Sequence, residues 1–204
     1  MSRIVLYTGG ARSGKSSLAE DEAKELGKNQ VLYIATAAVC DEEMADRVKK
    51  HRARRPEEWA TWEGFWNFRE LEQSRDFVNC QAMLVDCLGF MLNNIMYRLV
   101  SDWENCRLEE MEAVEERMLR EVDTLIRLAR EREKSLIVVT NEVGMGLVPA
   151  ERSSRYYRDI LGRANRRVAE AADRVCFMVS GIPLVVKESD GKTTSEVLSI
   201  GRRA

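Results

Sequence analysis

The sequence predicts an α/β fold, a mostly parallel sheet flanked by helices, and three observations predict it. Short β-branched runs bounded by turn or polar residues recur along the chain, each with the unbroken apolar character of a strand buried on both faces. Between them lie stretches of helical period whose outer faces are densely charged. The two kinds of segment alternate, which is the order that right-handed βαβ connections require. A length of 204 residues suits one such core with a few excursions, and 45% hydrophobic against 32% charged residues is enough to close it without disorder.

Taken in order, the first strand is Ile4 to Thr8, and a helical stretch runs from Ser17 to Leu26. Val31 to Thr36 is the second strand. From Asp41 to Phe77 the pattern changes: the segment is charge-rich, carries Trp59, Trp62 and Trp66, has little strand character and reads as a helical excursion from the sheet. Tryptophans in a small domain are usually core, although this segment could also supply an interface. Ala82 to Asp86 is the next strand. Leu108, Met111, Met118, Val122, Leu125, Ile126 and Ala129 then keep to one stripe of a long helix, and Leu136 to Thr140 and Val175 to Ser180 complete the strands. At the end, Ser189-Asp190-Gly191-Lys192 is a turn between Leu184-Val185-Val186 and Val197-Leu198-Ser199-Ile200, so residues 188–204 are either a hairpin or a frayed tail. With neither internal repeat nor linker, residues 1–204 read as a single domain.

The formal net charge of −2, from 32 basic and 34 acidic side chains, gives no global field for nucleic acid or an anionic membrane. Phosphate recognition must therefore be local. No apolar run approaches the ~18 residues of a membrane span, and Ile4-Val5-Leu6-Tyr7 is too short for a signal sequence. Five cysteines (Cys40, Cys80, Cys87, Cys106 and Cys176) form no CxxC pair; an odd number without disulfide spacing points to buried thiols in a reducing, cytoplasmic setting.

Gly9-Gly10-Ala11-Arg12-Ser13-Gly14-Lys15-Ser16 fits the phosphate loop G-x-x-x-x-G-K-[ST], directly after a strand and before a helix. Glycines let the backbone turn tightly and aim N–H groups inward, and the helix that follows, opening at Ser17, offers unpaired N–H groups and a positive dipole end. Lys15 is placed to reach the β- and γ-phosphates of ATP or GTP, and Ser16 to ligate Mg²⁺. Arg12 is either a further cation or an ordinary exposed loop residue. Asp86 ends an apolar strand, where such proteins keep the carboxylate that holds Mg²⁺ through water; many strands end in Asp for turn reasons alone.

His51 is the single histidine and sits among Lys49, Lys50, Arg52, Arg54 and Arg55. Such a charge run is commonly a solvated helix face. The alternative is an imidazole that attacks phosphorus, with surrounding cations that bind phosphate oxygens and keep the ring neutral by like-charge repulsion.

Several dispersed blocks, in order, resemble a known family: the loop from Thr8 to Ser16, Val31-Leu32-Tyr33-Ile34-Ala35-Thr36, Asp41-Glu42-Glu43-Met44-Ala45, Arg55-Pro56 with Trp59, and Thr140-Asn141-Glu142-Val143-Gly144-Met145-Gly146-Leu147-Val148-Pro149. Further on come Arg158-Asp159, Gly162-Arg163-Ala164-Asn165, Ala171-Ala172-Asp173 and Val179-Ser180-Gly181-Ile182. Together they resemble the bifunctional adenosylcobinamide kinase/adenosylcobinamide-phosphate guanylyltransferases of cobalamin synthesis, over nearly the whole chain.

That resemblance implies a P-loop NTPase with a RecA-like sheet, and two reactions: phosphorylation of the adenosylcobinamide hydroxyl by ATP or GTP, then transfer of GMP from GTP through a guanylylated histidine. His51 is the residue that can fill that role. It also implies nucleotide contacts on the phosphate loop, on Ala37, Ala38 and Val39, on Arg52, Ala53, Arg54 and Arg55, on Glu63 and on Asp86. Asn141 to Gly144 would line the nucleotide site or shape a turn. Asp86 itself departs from the family pattern, which has Glu there. A corrinoid substrate and a homo-oligomer, with a trimer as the candidate state, follow from the same resemblance. Two rival readings stay open: a monofunctional P-loop small-molecule kinase, and a RecA-like ATPase acting on nucleic acid.

Overall fold

In a computed structural model of the chain, residues 2–38, 52, 55–103 and 105–189 are described. Among these described residues, seven strands form one sheet in the order β3-β2-β4-β5-β1-β6-β7. The phosphate-loop strand β1 (Ile4–Gly9) lies between β5 (Ser135–Val139) and β6 (Arg174–Val179), parallel to both. β4 (Ala82–Asp86) pairs in parallel with β5 on one side and with β2 (Val31–Ala35) on the other. Thus β5 separates the strand of the phosphate loop from the strand that ends in Asp86, which is the RecA-like order expected.

Side chains alternate across the sheet and build two apolar layers. Val5, Tyr7, Tyr33 and Ile137 face α1 (Lys15–Gly27), which buries Ala19 and Ala23 against them. Ile4, Leu6, Leu32, Ile34 and Val85 face the opposite layer, made by α3 (Leu88–Leu99), α4 (Leu108–Glu131) and α5 (Arg152–Ala171). The predicted stripe of α4 is buried at Met111, Met118, Val122, Leu125 and Ala129, Ile126 is partly buried, and Leu108, at the first turn, is exposed. Glu121 also lies within this stripe. It can do so because its carboxylate accepts the Phe68 N–H at 3.0 Å and the Arg117 guanidinium at 3.1 Å.

Two stretches differ from the sequence reading. Within the segment read as a helical excursion, Ala60–Glu63 forms β3, a parallel edge strand on β2 with Ala60 opposite Leu32 and Glu63 opposite Ala35. The reason is local brevity: four residues, half of them exposed, satisfy a sheet edge without leaving an apolar run. After β3 come a 3₁₀ turn (Phe68–Gln73) and the short helix α2 (Arg75–Asn79). The tryptophans here pack inward. Trp59 is buried with its indole donating to Lys28 O at 3.2 Å, and Trp62 and Trp66 rest against the core.

Near the other end, Leu184 to Val186 belong to β7 (Ile182–Glu188), which pairs antiparallel with β6. The hairpin turn is Ser180-Gly181, both at positive φ, 51° and 87°, as a two-residue turn of the primed type demands. The turn expected at Asp190 and the arm from Val197 to Ile200 lie outside the described residues. Among the described residues no helix is long and apolar enough to cross a membrane.

Candidate active site

The phosphate loop is built by backbone geometry that its sequence permits. Gly9 has φ 148°, and a Cβ there would lie 2.4 Å from Met178 O on β6. Gly14, at φ 89°, caps α1 in the left-handed region and turns the chain into the helix. The loop is braced from two sides, since Gly181 N–H donates to Ser13 O at 3.2 Å and Glu142 N–H to Gly9 O at 3.0 Å. Lys15, the first residue of α1, is buried, and its ammonium donates to Gly10 O at 2.6 Å, with Ser13 Oγ at 3.4 Å. Burial lowers the affinity of this amine for its proton, while Cys87 and Asp86 partly restore it.

Asp86 faces the loop from the end of β4. Its Oδ1 lies 3.4 Å from Ser16 Oγ, and its Oδ2 accepts a hydrogen bond from the Tyr33 hydroxyl at 2.8 Å. Burial, reinforced by this carboxylate, pushes the Tyr33 phenol far above its ordinary value, so the hydroxyl is a donor. On the ring face of Tyr33 lies the Arg55 guanidinium, 3.4 Å from the centroid. Behind Asp86, Thr36 Oγ1 donates to Cys87 O at 2.7 Å, and Asn94 Nδ2 donates to Thr36 O at 2.7 Å, which ties the ends of β2 and β4 to α3. Burial pushes the Cys87 thiol up to about 11, and Asp86 adds to the shift, so this cysteine is a neutral wall of the site and no nucleophile near neutral pH.

Lys15, Ser16, Tyr33, Asp86 and Cys87 line one cleft of about 830 Å³ at the carboxyl ends of the strands. That volume is ample for a nucleoside triphosphate. Of the residues expected from sequence, Ala11, Arg12, Ser13, Gly14, Lys15, Ser16 and Ser17 line it, as do Ala37, Ala38, Arg55, Glu63 and Asp86. Gly9 and Gly10 belong to the loop but do not line the cleft. Arg52 is exposed and does not line the cleft, while Val39, His51, Ala53 and Arg54 lie outside the described residues. Asn141 lines it too, its carbonyl held by Asn165 Nδ2 at 3.0 Å. Glu142 instead folds back to accept the Gly144 N–H.

Reading the sequence did not single out Tyr33, Phe65 or Phe90 as cleft residues, though all three line it. Tyr33 carried a usable signal, a hydroxyl in an otherwise apolar strand two residues before the strand end. Phe65 is placed by β3, which the sequence concealed. Among the described residues no cluster of three His, Cys, Asp or Glu side chains could cage a metal. The oxygen pair Ser16 and Asp86 is nevertheless the donor set a nucleotide-borne Mg²⁺ needs, since that ion takes its other oxygens from phosphates and water.

Residues 5–186 match the model of a family described as CobU, cobinamide kinase / cobinamide phosphate guanyltransferase. The chain is 39% identical over 184 residues to the bifunctional adenosylcobalamin biosynthesis protein CobU of Escherichia coli strain K12, covering 90% of this chain and 99% of that protein. It is 39% identical over 189 residues to the CobU protein of Salmonella typhimurium strain LT2, with the same two coverages, 90% and 99%. Among solved structures, the flagellar accessory protein FlaH from Methanocaldococcus jannaschii matches with a TM-score of 0.45 and 13% identity, over 94% of this chain and 81% of that one.

Proposed function

This chain belongs to the cobinamide kinase / cobinamide phosphate guanyltransferase family, and on that premise we propose that its single described nucleotide cleft serves both reactions, with His51 carrying the guanylyl group in the second. The enzyme phosphorylates cobinamide and then joins the phosphate to GMP drawn from GTP, releasing pyrophosphate. The observation that supports one shared cleft is the convergence of Lys15, Ser16 and Asp86 with Arg55 and Glu63 around the same space.

In the kinase step the cobinamide hydroxyl oxygen attacks the γ-phosphorus, the bond from that phosphorus to the β-bridging oxygen breaks, and the hydroxyl proton is released. Lys15 and the N–H groups of the loop stabilise charge on the β- and γ-oxygens and hold the triphosphate in line. Ser16 and Asp86 would hold Mg²⁺, which supplies further neutralisation of the phosphate oxygens when bound. In the second reaction a His51 ring nitrogen attacks the α-phosphorus of GTP and pyrophosphate leaves. A phosphate oxygen of cobinamide phosphate then attacks the same phosphorus, the P–N bond breaks, and the imidazole is regenerated. Imidazole suits this double displacement because near neutral pH it is both nucleophile and leaving group, whereas a lysine is held protonated.

Arg55 supports the assignment. It follows His51 by four positions, and it is held in the cleft by its stack on Tyr33, so a residue four positions beyond His51 stands at the site proposed for the nucleotide. The test is incubation with GTP labelled at the α-phosphorus, with γ-labelled GTP as control. We expect an acid-labile protein adduct from the α-label alone, lost in His51→Asn while kinase turnover persists. An adduct that survives His51→Asn, or none in the unaltered enzyme, would reject the histidine.

A further inference from the structure

We propose that Tyr33 is a positioning residue for both reactions, fixing the Asp86 carboxylate so that Oδ1 is presented to the cation beside Ser16. The proposal rests on the reading of Asp86 as the cation-binding carboxylate. A strand-end aspartate has two free side-chain torsions, and either oxygen can be turned toward the cleft. The Tyr33 hydroxyl removes that freedom by holding Oδ2 at 2.8 Å, which leaves Oδ1 as the oxygen that faces Ser16 Oγ across 3.4 Å.

The donor is itself immobilised. Tyr33 is 4% exposed, and its ring packs in the apolar layer between the sheet and α1. In the register of the sheet Tyr33 stands opposite Leu84 and Ala35 opposite Asp86, so the phenol reaches along the strand direction to the strand end, a distance that phenylalanine cannot bridge with a donor. The outer ring face is covered by Arg55 at 3.4 Å. Packing alone would be met equally well by Phe at this position. The hydroxyl is the atom that packing leaves unexplained, and its bond goes to a cleft carboxylate. The same side chain thereby touches the phosphoryl-transfer end of the site, through Asp86, and the segment that follows His51, through Arg55. Loss of the hydroxyl with retention of the ring should accordingly change the cation demand of the two reactions together.

The experiment compares Tyr33→Phe and Asp86→Asn with the unaltered enzyme. Binding of Mn²⁺ in the presence of a non-hydrolysable GTP analogue is followed by electron paramagnetic resonance, with thermal melting alongside. Partners that orient a metal-binding carboxylate are worth about 10–100-fold in metal affinity, and we expect Tyr33→Phe to weaken Mn²⁺ binding at the lower end of that range. Its melting midpoint should stay near that of the unaltered enzyme. The Mg²⁺ concentration giving half-maximal rate should rise by a similar factor in the kinase and guanylyl-transfer assays, with saturating Mg²⁺ restoring both rates. Unchanged Mn²⁺ affinity in Tyr33→Phe, when Asp86→Asn loses it, overturns the positioning role and leaves the Asp86 reading intact. Unchanged affinity in Asp86→Asn overturns that reading, and the role of Tyr33 falls with it. A rate deficit in Tyr33→Phe that saturating Mg²⁺ does not relieve also counts against the proposal.

Discussion

Two buried lysines sit at opposite ends of the same sheet, and their surroundings separate a folding role from a chemical one. Lys134, just before β5, is 9% exposed and donates to Cys80 O at 2.6 Å and Val78 O at 3.2 Å, with the Phe77 ring 5.0 Å away. Lys15, at the start of α1, is 6% exposed and also donates to a carbonyl, Gly10 O, at 2.6 Å. The difference lies in what surrounds the remaining donor capacity. Around Lys134 the protein supplies two carbonyls and an aromatic face, so the ammonium staples the entry of β4 to that of β5. Lys15 lines the cleft of about 830 Å³ instead, and its carbonyl partner belongs to the very loop that must wrap an anion. A buried cation with a solvent-facing anion site is kept for binding; one closed in by carbonyls is kept for the fold.

The largest effect that tests this contrast is on catalysis. Lys15→Met keeps most of the aliphatic stem and removes the charge. Both reactions should fall by about 10²–10³-fold, the scale of losing one preorganised charge-stabilising donor, while the melting midpoint of the nucleotide-free protein holds or rises. Steady-state rates with a parallel thermal melt provide the check. A Lys15→Met protein that melts far below the unaltered one would erase the distinction.

Lys134→Met is the reciprocal change. It strands the Cys80 carbonyl, whose bond is buried, and the Val78 carbonyl, whose bond is part-buried, and should cost about 1–3 kcal/mol in urea unfolding, the scale of a buried acceptor left unpaired. The kcat and KM of the folded enzyme should be unchanged for both reactions. Altered kinetics at full folding would show that the far end of the sheet communicates with the cleft, and the contrast would then need a different basis.

What the sequence revealed of these two ends follows from how each is encoded. The phosphate loop is contiguous, eight residues whose glycines and lysine carry their geometry locally, so Gly9 to Ser16 and the strand–loop–helix context were legible at once. Asp86 was legible because an apolar run stops at it. The Tyr33–Asp86–Arg55 contact was not, since it depends on the register of β2 against β4 and on a segment that returns to the sheet through β3. β3 itself left no apolar run to read. The hairpin of β6 and β7 was not legible, because its turn, Ser180-Gly181, is a weak signal in sequence and is set by the neighbouring strands, whereas the turn expected at Ser189 to Lys192 belongs to a stretch that lies largely outside the described residues. Nor did periodicity reveal Lys134 or Glu121, whose burial is compensated by partners far away in the chain.

The smallest effect belongs to a carboxylate at the Lys134 end. Asp173 accepts the Ile4 N–H at 2.7 Å through Oδ2 and the Arg130 guanidinium at 3.1 Å through Oδ1, and its own N–H donates to Ile4 O, so it joins the start of β6 to the start of β1. Burial works against its ionisation, but the Ile4 N–H and the Arg130 guanidinium outweigh that and hold the carboxyl below its usual value. A carboxyl depressed in the folded state stabilises the protein above the unfolded-state value, about 3.9 for Asp, and that contribution is lost as pH falls through the folded value. Asp173→Asn should therefore be less stable by about 1 kcal/mol at neutral pH, the Arg130 side being partly exposed and screened. Urea unfolding as a function of pH should place the two stability curves at constant separation down to about pH 4, then bring them together at lower pH. Because the group touches no part of the cleft, the pH dependence of both reactions between 6 and 9, an order-of-magnitude window about neutrality, should be that of the unaltered enzyme. Curves that fail to converge in acid would mean that Asp173 acts through the shape of its contacts instead of its charge, and the folding end of the sheet would be less electrostatic than Lys134 suggests.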